Sequence, residues 1–266
     1  MGHKIHSALL SRRGMLSPGS IAMGIGMSTS AGQNSSAGFR AIFFDLDGTL
    51  IDTEPTAAIA VEDCFLDWGI RVDPKDAQFI TGRSWQSALT FLFRKYRPAL
   101  SFEDGLKLIM TRYRIKLEDE LLSVAGSHEA VRALSSEFPM AVVSGSSRED
   151  IEWALKKLGL TDCFQFILGA EDYPRSKPEP DSYLKALQVL NLRISDLKPE
   201  QILVFEDSLA GIAAAKAAGM AVVAISGTNH FSQDISGASD QIRDLQGIDP
   251  EWVRKLATRL CVKNNA

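Results

Sequence analysis

From Arg40 onward, short apolar runs alternate with longer stretches in which apolar residues recur every three or four positions. This is the pattern of a parallel sheet whose strands are joined by helices lying on both of its faces. Five runs read as strands: Ala41–Phe44, Met140–Val143, Phe164–Leu168, Ile202–Phe205 and Ala221–Ile225. Each is short and mostly apolar, as expected of strands buried on both sides. Four of the five run at their C-terminal end into a polar or glycine-containing loop.

The first and second strands are separated by residues 45–139, far more than a simple crossover needs, so something is inserted between them. The stretch Thr56–Leu122 has helical spacing: Ala60, Cys64 and Trp68, then Leu89, Leu92 and Phe93, then Leu106, Ile109 and Met110. The expected organisation is a helical domain over residues 55–123 set into an α/β core built from 39–54 and 124–266. A helix from Ser127 or His128 to about Ser136 returns the chain to the sheet, with Pro139 just before the second strand. Asp249 followed by Pro250 marks the start of a last helix, since aspartate caps free amides and proline suits the first turn.

Composition changes this picture little. Of 266 residues, 45% are hydrophobic and 23% charged, the proportions of an ordinary globular chain. A net charge of −4 argues against nucleic acid as a partner, because backbone phosphates are held by clustered positive charge. The longest mostly apolar run, Ala210–Ile225, is broken by Lys216 and Gly219 and reads as helix, turn and strand, so no membrane partner is expected. Cys64, Cys163 and Cys261 lie far apart without metal-ligand spacing, which suits a reducing, cytoplasmic setting. Residues 1–38 contain Lys4, Arg12 and Arg13 but no acid, and disorder is expected there. That segment reads either as an organelle transit segment or as an extension ahead of a start at Met27.

In an open parallel sheet, ligands bind beyond the carboxyl ends of the strands, so the loops there belong together. After the first strand comes Asp45-Leu46-Asp47-Gly48-Thr49, and after the second Ser144-Gly145-Ser146-Ser147. Lys177-Pro178 precedes the fourth strand and Glu206-Asp207 follows its apolar run. Four acids, one lysine and a serine loop would converge. Clustered carboxylates repel one another unless a cation sits among them, and oxygen ligands suit a hard divalent ion such as Mg²⁺. The same ion would draw in a phosphate and neutralise its charge during transfer.

The segments FFDLDGTL, SGSS, KPEP and VFEDSLAG, in that order, resemble the four motifs of the haloacid dehalogenase superfamily. The resemblance covers roughly residues 40–230 and is greatest to the subgroup with a helical cap inserted after the first motif. That subgroup includes beta-phosphoglucomutase and many sugar-phosphate and phosphoglycolate phosphatases. It implies a Rossmann-like core and a Mg²⁺-dependent hydrolase of a small phosphorylated metabolite, working as a monomer or homodimer. It also implies roles for single residues. Asp45 would be the nucleophile that forms an acyl phosphate, and Asp47 the acid and base. Ser144, Gly145 and Ser146 would bind phosphate oxygens near a helix start, and Lys177 would balance the charge of Asp45. Asp207, with Glu206 beside it, would hold the metal together with the Asp45 carboxylate and the Asp47 backbone carbonyl. Thr49 would assist, and Arg83 in the loop Ile80–Ser84 would reach the polar end of the substrate. The cap would open and close about hinges near Glu54 and Val124.

Departures from the family pattern separate its chemistries. Dehalogenases lack the second aspartate, so Asp47 points to phosphoryl transfer. Ala57 stands where beta-phosphoglucomutase carries a cap-linker histidine, and residues 53–68 show no match for the cap lysine of phosphonoacetaldehyde hydrolases. A phosphatase is therefore expected ahead of a phosphomutase, with a non-catalytic phosphate-binding protein as the alternative from another class. Plainer readings exist for the same residues. Asp-Gly is common in strand-end turns, Ser147 and Asp150 suit a capping box, and Glu206 or Asp207 would cap a helix starting near Ser208. Trp68, Trp85 and Trp153 read as packing residues, and the sequence offers no partner for His128 or His230.

Overall fold

The computed structural model describes residues 38–73, 76, 85–230 and 232–264. The loop Ile80–Ser84, with Arg83, lies outside the described residues, as does the N-terminal segment up to residue 37. The strands are β1 (Ala41–Phe44), β2 (Met140–Val143), β3 (Phe166–Leu168), β4 (Ile202–Glu206), β5 (Ala221–Ile225) and β6 (Asp240–Ile242). They form one sheet in the order β3-β2-β1-β4-β5-β6, and every pairing is parallel.

Among the described residues, three helices lie in the insertion after β1: α1 (Glu54–Asp67), α2 (Trp85–Tyr96) and α3 (Phe102–Asp119). The remainder are α4 (Ser127–Ser135), α5 (Arg148–Leu158), α6 (Asp181–Asn191), α7 (Leu209–Ala217) and α8 (Pro250–Asn264). The chain is thus α/β, with a parallel sheet covered on both faces and a helical insertion after the first strand.

The alternation of side chains along β1 explains the two layers. Ile42 and Phe44 pack with Val131, Leu134, Ile151 and Leu256 of α4, α5 and α8. Ala41 and Phe43 pack with Tyr183, Leu190, Ile212 and Ala215 of α6 and α7. Phe44 stacks on its register partner Phe205 with ring centroids 4.9 Å apart, joining the two central strands. The insertion has its own core, in which Val61 and Phe65 of α1 meet Leu89 and Leu92 of α2 and Ile109 of α3. Ion pairs Asp63–Lys116 at 2.8 Å and Asp67–Arg112 at 2.7 Å tie α1 to α3.

The two links between sheet and insertion run side by side. Asp52 N donates to Leu122 O at 2.9 Å, and Val124 N donates to Leu50 O at 3.0 Å. Among the described residues no helix is long and apolar enough to cross a membrane.

Candidate active site

Parallel strands share one carboxyl edge, so the loops after β1, β2 and β4 meet there. Lys177 stands at the centre of that meeting. Its Nζ donates to Asp45 Oδ1 at 2.6 Å, Glu206 Oε1 at 2.5 Å and Val143 O at 3.1 Å. The three charged side chains are nearly withdrawn from water, at 11% exposure for Lys177, 10% for Asp45 and 0% for Glu206. Burial works against the ammonium charge, but Asp45 and Glu206 outweigh it and hold the lysine well above its ordinary range.

Glu206 has no oxygen to spare. Oε1 accepts from Lys177 and from the Tyr183 hydroxyl at 2.8 Å. Oε2 accepts from Ser208 Oγ at 3.0 Å and from the amides of Asp207 and Ser208, both at 3.2 Å. One carboxylate therefore anchors the lysine and also caps the start of α7, where Ser208 Oγ in turn accepts from Gly211 N at 3.0 Å.

Asp45 is pushed up to about 7, first by burial and then by Glu206 and Asp47, against the pull of Lys177. Asp207, beside it, is raised well above the usual carboxylate range by burial and by the charges of Glu206 and Asp45. Its side chain has no hydrogen bond or ion pair among the described residues. Asp45, Glu206 and Asp207 each offer a carboxylate oxygen within 4.8 Å of the others. One lysine cannot neutralise three acids of which two are buried and the third half-buried, and hard oxygen donors around uncompensated negative charge fit a divalent cation such as Mg²⁺.

Gly48 makes this approach possible. It has φ +80°, a region that favours glycine, and a Cβ there would overlap the Asp207 carboxylate. Gly48→Ala is expected to cost about 1–3 kcal/mol of stability and to displace Asp207. Urea unfolding with and without Mg²⁺ measures both effects; a variant with unaltered stability and unaltered response to Mg²⁺ contradicts the assignment.

Asp47 lies on the cavity side of Asp45. Its Oδ1 accepts from Thr53 Oγ1 at 2.9 Å and its Oδ2 from Ser146 Oγ at 2.5 Å. The serine loop is folded on itself: Ser144 Oγ accepts from Ser146 N at 3.1 Å, and Ser144 O accepts from the buried Tyr173 hydroxyl at 2.7 Å. Gly145 is exposed in this loop and borders the cavity. Ser147 caps α5, its Oγ accepting from Asp150 N at 3.2 Å and donating to Asp150 Oδ2 at 2.6 Å, so the serine half of the capping box read from the sequence forms, while Asp150 meets the serine hydroxyl and not its amide. Thr49 is fully buried and its Oγ1 has no hydrogen-bond partner among the described residues.

Of the residues singled out in the sequence, Asp45, Lys177, Glu206 and Asp207 form one cluster, and Asp47 joins the serine loop beside it. Sequence reading missed Thr53, Tyr183 and Tyr113. Tyr113, on α3, lies beside Thr53 and is pushed up to about 12, mainly by burial. Both histidines left without a partner acquire one: His230 Nε2 lies 2.9 Å from Asp52 Oδ2, and His128 Nε2 accepts from Arg132 Nε at 3.2 Å.

Residues 42–225 match the family described as haloacid dehalogenase-like hydrolase. The chain is similar to a fructose-1-phosphate phosphatase of Escherichia coli (strain K12), 30% identical over 190 residues, which are 70% of this chain and 95% of that protein. It is 28% identical over 209 residues, 78% of its own length, to a bifunctional riboflavin kinase/FMN phosphatase of Arabidopsis thaliana, of which it spans 54%. The crystal structure of CbbY from Rhodobacter sphaeroides in complex with phosphate shares the fold, with a TM-score of 0.66 and 24% identity. That match covers 82% of this chain and 99% of CbbY.

Proposed function

The chain belongs to the haloacid dehalogenase-like hydrolases, and we propose that it is a phosphatase that hydrolyses a small phosphorylated metabolite through a covalent phosphate on Asp45. Sugar phosphates and organic-acid phosphates of the phosphoglycolate kind are the first compounds to assay. The observation that carries this reading is the buried Lys177 bridge between Asp45 and Glu206, with Asp47 hydrogen-bonded on the open side. A lysine gripping one oxygen fixes the Asp45 carboxylate and favours its ionised, nucleophilic form.

In the first step an oxygen of Asp45 bonds to phosphorus as the bond to the leaving alcohol breaks, and Asp47 gives that alcohol its proton. In the second step Asp47 takes a proton from water, whose oxygen displaces Asp45 and releases phosphate. Thr53 and Ser146 hold Asp47 from its two sides, so the proton is delivered at a fixed place. The free amides of the serine loop and the start of α5 would receive the phosphate oxygens. Asp45 and Asp207 are the carboxylates with oxygens to give a cation, while Glu206 serves as anchor and cap. Bound there, Mg²⁺ would keep both acids ionised and neutralise the phosphoryl oxygens. Ala57 borders the cavity with only a methyl group, which favours transfer to water over the phosphomutase alternative.

The test is phosphate release from a metabolite-phosphate panel with Mg²⁺; absence of turnover across the panel refutes the proposal. Independently of activity, Mg²⁺ at about 100 times its Kd should stabilise the protein by about 2.7 kcal/mol, or roughly 5–10 °C in Tm. Asp207→Asn should remove that rise. A wild-type Tm indifferent to Mg²⁺ counts against the metal site.

A further inference from the structure

The cavity that opens on Asp47 encloses about 970 Å³, at the upper end of the range for a drug-sized ligand. It lies between α1, α2 and α3 of the insertion and the serine loop and α5. On the leaving-group side its wall is made by Trp85, Met110, Tyr113, Leu117 and Trp153. The rings of Trp85 and Tyr113 meet edge to face with centroids 5.2 Å apart, and both are only half-buried.

The polar groups around this wall are largely committed to one another. Asp150 accepts from Arg114 at 2.8 Å and from Ser147 at 2.6 Å. Glu118 pairs with Lys157 at 2.7 Å and accepts the Trp153 indole N–H. Thr111 Oγ1 donates to Lys107 O at 2.8 Å, and Glu54 also has a partner. Among the described lining residues, only Lys107 and Glu149 carry a charge not engaged in an ion pair or hydrogen bond, and both are exposed. A polyol entering here would bring hydroxyls that lose water and find few partners, which disfavours it. A flat apolar ring would trade water for aromatic and thioether surface.

We propose that the alcohol released by this enzyme carries a flat, apolar ring that seats against Trp85 and Tyr113 while the phosphate reaches Asp45. This rests on the phosphatase reading and sets ring-bearing phosphomonoesters ahead of the sugar and organic-acid phosphates named there; Trp85 and Tyr113 are then specificity-determining residues.

Matched phosphomonoesters test it, because their reacting ends are the same and only the ring differs. Benzyl phosphate is compared with methyl phosphate, and 2-phenylethyl phosphate with ethyl phosphate, by kcat/KM in Mg²⁺. The ring-bearing member of each pair should be preferred at least about tenfold, the scale of stacking one base on an aromatic side chain. Trp85→Ala should bring that ratio toward one, and Tyr113→Leu serves the same purpose should the first variant fail to fold. General damage to the chemistry cancels within each pair. Equal or better turnover of the ring-free members, or a ratio unmoved in the folded variants, overturns the inference and leaves the phosphatase reading standing. Hydrolysis of none of these esters and none of the metabolite panel overturns the phosphatase reading, and this inference with it.

Discussion

Asp45→Asn is expected to lower kcat by at least about 10⁴-fold while the protein stays folded, the scale on which loss of a nucleophile acts. The substitution keeps the side-chain volume and removes the oxygen charge that attacks phosphorus. The stability side has a definite sign. Asp45 is held up to about 7 in the folded protein against 3.8 for the free group. Its contribution to stability is therefore present below the unfolded value and is lost as pH rises through about 7. Asparagine has no such loss. In metal-free protein the variant should accordingly gain stability relative to the wild type as pH rises from about 4 to about 7 and keep that gain above it, read from urea midpoints. Full turnover by the variant would remove Asp45 from the chemistry.

Lys177→Met is expected to be the more damaging change to the fold. Methionine fills much of the same space but leaves Asp45 and Glu206 facing each other at 10% and 0% exposure without a cation. Breaking a buried pair by removing one partner typically costs about 3–5 kcal/mol. Here two acids are stranded, and Glu206 also holds the start of α7 through Ser208. Turnover should fall with stability, and Mg²⁺ should recover part of the stability but not the turnover. A Lys177→Met protein as stable as the wild type would show that the bridge is not what sustains the cluster.

Much of this was legible because the strands carry their own signature. Ala41–Phe44, Met140–Val143 and Ala221–Ile225 are continuous apolar runs, and the structure forms strands over those same residues. The expected strand at Phe164–Leu168 begins at Phe166, since Phe164 follows a short 3₁₀ turn over Thr161–Cys163. The sixth strand, Asp240–Ile242, was invisible in the sequence: three residues long, two of them polar, and paired to β5 on one side only, it has no apolar run to betray it.

The charged cluster was legible for a topological reason, since parallel strands bring their following loops to one edge whatever lies between them in sequence. Its supports were not. Tyr183 sits on the apolar face of α6 with Ala186, Leu187 and Leu190, and helical spacing alone gives it a packing role. The available signal was its hydroxyl, which a fully buried tyrosine must satisfy, and which here meets Glu206. Thr53 looks like an ordinary residue ahead of a helix, yet its hydroxyl goes to Asp47 and not to a helix amide. The choice between Glu206 and Asp207 also depended on coordinates, because only the hydrogen-bond count shows Glu206 to be saturated.

The central claim is a phosphate carried on Asp45. Acid quench within the first turnover, followed by protease digestion and mass spectrometry, measures it directly. The account predicts a mass gain of one phosphoryl group, labile to hydroxylamine, on the peptide containing Asp45 and absent from Asp45→Asn. Rapid phosphate release with no such adduct at any quench time, or an adduct on another residue, would contradict it.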